Sequence, residues 1–281
     1  MRGACEIYGH RGAGGYFPEN TLTGFIEAVK MGVQWLEFDV IISKDKKVVV
    51  SHEPWMNSSL CTSPNGERVK RGRKLSLFQM SYSEIKKYDC GKRKDKKFPK
   101  QKSVPSYKPL LSEVFSEVEA FISQNKLPEI KYCIEVKSFK ILEGKFQPTP
   151  EEFARLVYEA IKENKIEDRV MVISFDRRIL RHFQKFDRKI KTGLTFVNLF
   201  SIQTNIKKLG FTPYAFNPYH KLITRKMIRD AHESGITLNA WTVNGEKRME
   251  QLIHAGVDGI MSDYPDVALN VLRTYNRISA S

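Results

Sequence analysis

The sequence predicts an α/β protein whose short strands run parallel and close into a barrel. Two observations carry this. Short apolar segments alternate with helical patterns along nearly the whole chain, the mark of parallel strands joined by helices. Histidines and carboxylates stand at the ends of several of those segments, which is how a barrel gathers reactive groups from distant parts of its chain. With 281 residues, 41% of them apolar, the chain can bury a substantial core. We expect a single domain over residues 1–281.

The strand segments are residues 6–8, 36–40, 48–51, 132–136, 170–174, 192–196, 215–217, 237–241 and 259–261. They are nine, one more than an eight-stranded barrel needs. No helix fits between Asp39 and Val48, whereas parallel neighbours need a long crossover. Residues 43–47, Ser-Lys-Asp-Lys-Lys, read instead as a tight turn, so the barrel should be irregular there. Helical spacing links Leu22, Phe25, Ile26 and Val29, and again Leu111, Val114, Phe115, Val118 and Ile122. Thr149-Pro150-Glu151-Glu152 is a helix start, with Phe153, Leu156, Val157 and Ala160 as its buried face. Asp176 caps a helix that turns Ile179, Leu180 and Phe183 inward. Thr224 and Gly235 bracket another, and Gly256 ends a further one.

Residues 53–108 break the alternation. They combine prolines, a Pro-Asn-Gly turn and two basic runs, at 68–74 and 92–102. This is too long for an ordinary connection, and it leaves directly after His52. The segment holds 15 Lys and Arg against 5 Asp and Glu, leaving 32 against 27 in the rest of a chain of formal charge +15. Most of the basicity therefore sits in one place. Such charge is a solvated face, or it steers anionic phosphodiesters, or it meets an anionic membrane surface. Tyr82, Tyr88, Phe98 and Tyr107 lie in or near it, but no nucleic-acid motif does.

No apolar run is long enough to span a membrane, and residues 1–6 carry no signal-peptide pattern. As it stands the chain reads as cytoplasmic; with an export signal removed it would be periplasmic or secreted. The spacings of Cys5, Cys61, Cys90 and Cys133 match no zinc motif. Cys133 reads as a buried small hydrophobe. Cys61 and Cys90 can pair if the protein is exported.

Glu37 and Asp39 are two apart in a strand, so their side chains share one face, here the inward one. Two inward carboxylates repel and lose hydration unless a cation lies between them. The spacing fits a metal pair, and it fits strand-end acids met by solvent or arginine. Glu135 ends another strand and adds a third acid. Three carboxylates suit Mg²⁺ or Ca²⁺ better than zinc. His10 and His52 stand at two strand ends near these acids. Each imidazole could bond a loop, or move a proton near neutral pH. Arg11 and Lys137 are phosphate partners, or salt-bridge partners of nearby acids. Glu19 and Asn20 cap the first helix or order the site. Trp241 and Phe175, at late strand ends, are core residues or ligand contacts. His182, His220, His232 and His254 have no acid cluster around them and read as structural or surface residues.

One set of motifs runs in order from Gly9 to Asp266. It comprises His10-Arg11-Gly12, Pro18-Glu19-Asn20-Thr21, Glu37-Phe38-Asp39, the strand-terminal His52, Ile134-Glu135-Val136-Lys137, Ser174-Phe175-Asp176, Trp241-Thr242-Val243-Asn244 and Gly256-Val257-Asp258-Gly259-Ile260. The set resembles the glycerophosphodiester phosphodiesterases of the phosphatidylinositol-phospholipase-C-like barrel superfamily. Departures are small: Glu53 stands where that family usually has Asp, and Gly14 and Gly15 follow Ala13. The resemblance implies an irregular TIM (β/α)8 barrel with residues 53–108 as a cap over the site. It makes Glu37, Asp39 and Glu135 ligands of one divalent cation, Mg²⁺ or Ca²⁺, and His10 and His52 an acid/base pair. It has Glu19 order the site and puts Trp241 beside a glycerol moiety; Arg11, Lys137 and Phe175 complete the expected substrate contacts. The implied activity is metal-dependent hydrolysis of a small glycerophosphodiester to sn-glycerol 3-phosphate and an alcohol. A lysophospholipase-D-like activity would need an apolar groove, which the charged insertion disfavours. A non-catalytic basic barrel binding nucleic acid or membrane would have no use for five such groups at strand ends. We expect no specific nucleic-acid partner and at most weak contact with an anionic membrane surface; the sequence sets no oligomeric state.

Overall fold

The computed structural model describes residues 4–70 and 72–280; residues 1–3, Arg71 of the first basic run and Ser281 lie outside the described residues. The elements follow the alternation read above. In order they are β1 (Glu6–His10), α1 (Leu22–Met31), β2 (Trp35–Ile42), β3 (Val48–Val50), α2 (Tyr82–Ile85), α3 (Leu111–Asn125), β4 (Lys131–Val136), α4 (Pro150–Glu163), β5 (Val170–Ser174), α5 (Arg177–Phe186), β6 (Lys191–Phe196), α6 (Ile202–Leu209), β7 (Ala215–Pro218), α7 (Arg225–Glu233), β8 (Thr237–Ala240), α8 (Glu246–Ala255), β9 (Gly259–Ser262) and α9 (Pro265–Ala280). Strands β1, β2 and β4 to β9 pair in parallel, and the β1–β2 pairing closes the ring. The fold is a TIM barrel with helices between the strands.

Side chains alternate along each strand, and this period of two builds two apolar compartments. Leu36, Phe38 and Val40 of β2, Tyr132, Ile134 and Val136 of β4 and Val170 and Val172 of β5 face the helices and join the large core between strands and helices. Tyr8, Trp35, Cys133, Met171, Ile173, Ala215 and Met261 fill the barrel interior. Cys133 is buried, as its strand position implied. The same parity as these interior residues carries His10, Glu37, Asp39, Glu135 and Trp241 inward, at the carboxyl ends.

The surplus strand is β3. It pairs antiparallel with β2 through Val40↔Val50, Ile41↔Val49 and Ile42↔Val48. Ser43 organises the turn, accepting from Lys47 N and donating to Asp45. His52 thus follows a returning hairpin strand rather than a parallel barrel strand. The hairpin still brings it to the rim at the carboxyl ends of the strands, because Ser51 N donates to Asp39 O.

Helix caps fall where the sequence put them. Thr149, Asp176 and Thr224 each accept from a backbone N–H of the following turn, and Gly256 takes the left-handed conformation that ends α8. Thr21, not Glu19 or Asn20, caps α1. Three helices had no segment assigned to them, the single-turn α2, α6 behind its Ser201 cap and the C-terminal α9. Among the described residues no helix is long and apolar enough to cross a membrane.

The segment between β3 and α3 has a small apolar core of its own. Met56, Leu60, Cys61, Val69, Leu77, Ile85 and Cys90 pack beneath it against Ile41 and Val49 of the hairpin. Cys61 and Cys90 are joined by a disulfide. The segment rests on three rim loops. Gln101, buried, donates to Gly14 O and Phe17 O. Phe98 meets Tyr264 edge-on, and Trp55 meets Phe146 in the same way. It therefore meets the rim through the loops that follow β1, β4 and β9.

Candidate active site

The loop after β1 is held in an uncommon conformation by the acids it serves. Arg11 and Asn20 both have positive φ, 51° and 56°, where side chains other than glycine are seldom found. Arg11 N donates to Glu37 Oε2 at 3.0 Å. Asn20 Nδ2 donates to Asp39 Oδ2 at 2.9 Å, and Asp39 N donates to Asn20 Oδ1. Gly12 is required at φ 89°, because a Cβ there would lie 2.7 Å from the Gly24 backbone. This turn aims the Arg11 guanidinium inward, where it bonds Glu19 at 2.8 Å and lies 3.2 Å from Asp39.

Register then assembles the acids. Glu37 lies opposite His10 across β1–β2, and Asp39 opposite Glu135 across β2–β4. Glu37, Asp39 and Glu135 are all buried, with ligand oxygens within 4.8 Å of one another. Lys137, two residues on in the same parity, reaches Glu135 at 2.8 Å and Asp39 at 3.1 Å. Burial raises the Glu37 carboxyl to about 7; His10 opposes this, while Asp39 and Glu135 add to it. Burial alone would raise Asp39 as well, but Lys137, Arg11 and His52 hold it well below the usual carboxylate range. A carboxyl raised to about 7 by burial, with two acid neighbours adding to the shift, marks a cluster short of positive charge. An all-oxygen donor set of this kind fits a hard divalent cation.

His10 is oriented from behind. Its Nδ1 lies 2.6 Å from Asp263 Oδ1, and Asn244 Nδ2 donates to the other oxygen of that carboxylate at 2.7 Å. Nε2 points to the cluster, 3.8 Å from Glu37 Oε2 and 3.4 Å from Thr242 Oγ1. Burial disfavours the imidazolium, yet Asp263 and Glu37 outweigh it and the His10 pKa is raised. His52 repeats the arrangement, with Nδ1 3.1 Å from Glu53 Oε1. Burial would raise Glu53, but the His52 bond and the charges of His52, Lys108 and Arg11 bring it down to about 2. Lys108 arrives from the far end of the insertion and, itself buried, donates to Ser51 Oγ at 2.8 Å. Burial lowers its pKa, with Glu53, Glu19 and Asp39 opposing.

Two aromatic rings line the other half of the mouth. Phe175 and Trp241 meet edge-on with centroids 5.5 Å apart, and Trp241 is fixed by donating Nε1–H to Asn217 O at 2.7 Å. Both stay partly exposed, and Lys137 Nζ lies 5.9 Å from the Phe175 centroid.

The structure thus gathers all eleven expected residues around the carboxyl ends of the strands. Lys137 holds the salt bridge to Glu135 that its position suggested, and it does so inside the cluster. Glu19 and Asn20 serve Arg11 and Asp39 rather than the helix terminus. Three residues went unassigned from sequence. Asp263 keeps the inward parity of Gly259 and Met261, so counting by twos beyond β9 flags it. Asn244 ends the Trp241 motif that was already in hand. Lys108 has no local signal, since its partner Ser51 lies 57 positions away. Of the remaining histidines, His182, His232 and His254 sit on α5, α7 and α8, while His220 follows β7 behind Trp241.

Comparison with known proteins agrees with this geometry. Residues 10–267 match the model of the glycerophosphoryl diester phosphodiesterase family. A glycerophosphodiester phosphodiesterase of Caldanaerobacter subterraneus is 30% identical, covering 95% of this chain and 97% of its own length. A lysophospholipase D of Mus musculus is 27% identical over 95% of this chain and 86% of its own length. Among solved structures, a candidate glycerophosphoryl diester phosphodiesterase of Silicibacter pomeroyi superposes with a TM-score of 0.87 at 25% identity, covering 98% and 95% of the two chains. An Oleispira antarctica phosphodiesterase solved with its product sn-glycerol-3-phosphate has the same fold, with a TM-score of 0.77 at 21% identity over 96% and 97% of the chains.

Proposed function

Because the chain belongs to the glycerophosphoryl diester phosphodiesterase family, we propose that it hydrolyses glycerophosphodiesters to sn-glycerol 3-phosphate and a free alcohol. One observation carries this reading: three buried carboxylates converge within 4.8 Å of one another, beside two cations and an imidazole held by its own carboxylate. The activity named for the Caldanaerobacter relative supports it, as does the product held by the Oleispira enzyme.

In this reading Glu37, Asp39 and Glu135 hold one divalent cation, Mg²⁺ or Ca²⁺. Such an ion, when bound, neutralises phosphate charge and acidifies a nearby hydroxyl. The chain's own residues do the rest. Arg11 offers its planar fork to the phosphate oxygens, and Lys137 adds a compact charge. Glu19 and Asn20 keep Arg11 and Asp39 in place. His10 and His52 each have Nδ1 on a carboxylate, which leaves Nε2 to face the substrate. One takes the proton of the attacking oxygen, and the other supplies the proton of the leaving alkoxide. Phe175 and Trp241 pack on the glycerol carbons, and residues 53–108 cap the site.

The test is hydrolysis of a glycerophosphodiester panel with chelator, then with Mg²⁺ or Ca²⁺ restored. Release of sn-glycerol 3-phosphate should vanish in chelator and return with one ion. No release from any member with either ion present overturns the reading. Lysophospholipase-D-like action is the second reading, supported by the mouse relative. Adding lysophosphatidylcholine to the panel separates the two, since the product would be lysophosphatidate.

A further inference from the structure

Seven large apolar side chains are exposed among the described residues, and five of them are Phe139, Ile141, Val197, Leu199 and Phe200. Ile141 is 91% exposed and Leu199 82%. All five lie in the loops that follow β4 and β6, at the end of the barrel where the acid cluster opens. These loops and the one after β5 form one continuous edge. Arg178 bonds Asp176 beyond β5 and pairs with Glu143 beyond β4. Arg177 bonds Asn205, which exchanges bonds with Asn198 beyond β6. Clustered exposed apolar groups on a water-soluble surface mark an interaction site.

The charge of this edge selects the partner. Lys140 and Lys145 alternate with the apolar residues of the first loop, and Lys207 and Lys208 follow the second. Lys208 Nζ lies 3.8 Å from the Phe200 ring centroid. Glu143 is the one acid in residues 138–149 and 197–208, and its ion pair with Arg178 cancels it. The insertion, with 15 basic against 5 acidic residues, adjoins the first loop through Trp55 and Phe146. Aliphatic tips among lysines match an interface with an apolar interior and an anionic surface. Lysine stems can lie along apolar surface while their ammonium groups meet lipid phosphates.

We propose that this rim docks on an anionic lipid surface, with Ile141 and Leu199 entering the acyl region and the flanking lysines meeting headgroup phosphates. Docked so, the mouth of the site faces the lipid. The inference goes beyond the reaction assigned above and stands on surface residues alone.

Cosedimentation with vesicles tests it, using phosphatidylcholine alone or equimolar phosphatidylcholine and phosphatidylglycerol. The protein should bind the mixed vesicles, far less the neutral ones, and lose binding as salt rises. Burying one aliphatic side chain is worth roughly tenfold or more in partitioning, so Ile141→Ser with Leu199→Ser should weaken binding about a hundredfold. Ile141→Trp should strengthen it. Both variants should keep wild-type turnover of water-soluble glycerophosphocholine. Absence of binding to the mixed vesicles, or binding unchanged in the double serine variant, overturns the proposal. So does concentration-dependent dimerisation that the same variant abolishes without any vesicle binding, since a second copy would then own the patch. A protein that binds vesicles but hydrolyses no soluble diester would leave this inference standing and remove the assigned reaction.

Discussion

Cutting the Cys61–Cys90 link should loosen the insertion and leave the barrel intact. The two residues are 29 apart, so the bond closes a loop of that length. Loop-closure entropy for such a loop corresponds to about 3–4 kcal/mol at 25 °C. The stabilisation is local, because the apolar cluster under the insertion is separate from the main core. Cys61→Ala with Cys90→Ala should therefore raise the population of an open insertion by roughly two to three orders of magnitude, at 1.4 kcal/mol per tenfold. Hydrogen exchange reads this at defined amides: Cys61 N bonds Asn57 O, Asp89 N bonds Thr62 O and Cys90 N bonds Ser106 O. These amides should exchange faster, while those of β4 and β5 keep their protection. Trypsin should cut sooner within the basic run at 92–102. Turnover should fall as well, because the opened segment withdraws Lys108 from Ser51 and Gln101 from the β1 loop. If protection and proteolysis of the insertion stay as in the wild type while the main melting transition drops, the link acts on the whole barrel and this reasoning fails.

Chelation should abolish turnover without unfolding the barrel, whose large core lies between strands and helices, and Asp39→Asn should cost ion affinity and turnover likewise; full activity in either case refutes the metal site. Since burial raises Glu37 to about 7, a bound ion must displace its proton. Ion affinity measured by titration calorimetry should therefore climb with pH below about 7 and level off above it, and a flat profile contradicts the assignment. His10→Ala and His52→Ala should each lower kcat about a hundredfold or more with little change in KM; near-normal kcat makes that imidazole structural. Neutralising Lys92, Arg93, Lys94, Lys96 and Lys97 together should lower kcat/KM mainly at low ionic strength, since exposed charges act over about 8 Å at physiological salt. A salt-independent loss confined to kcat would instead place the run in the catalytic machinery.

The alternation of strands and helices, the tight turn in place of a crossover and the parity that turns Glu37, Asp39 and Glu135 inward were all legible in the sequence. Each follows from local rules, a period of two in strands, a capping residue before a helix, too few residues for a crossover. These rules fix the face a side chain takes and leave its partner open. Asp263 meets His10 across 253 positions, and Lys108 meets Ser51 across 57. Arg11 and Asn20 turn from a helix entrance to the acids only because β1 and β2 pair in one register. The Cys61–Cys90 bond and the apolar edge beyond β4 and β6 depend likewise on separate segments coming together. Closure of the ring sets those distances, and closure depends on every strand at once; that is why the inward residues could be read from sequence and their partners required the folded barrel.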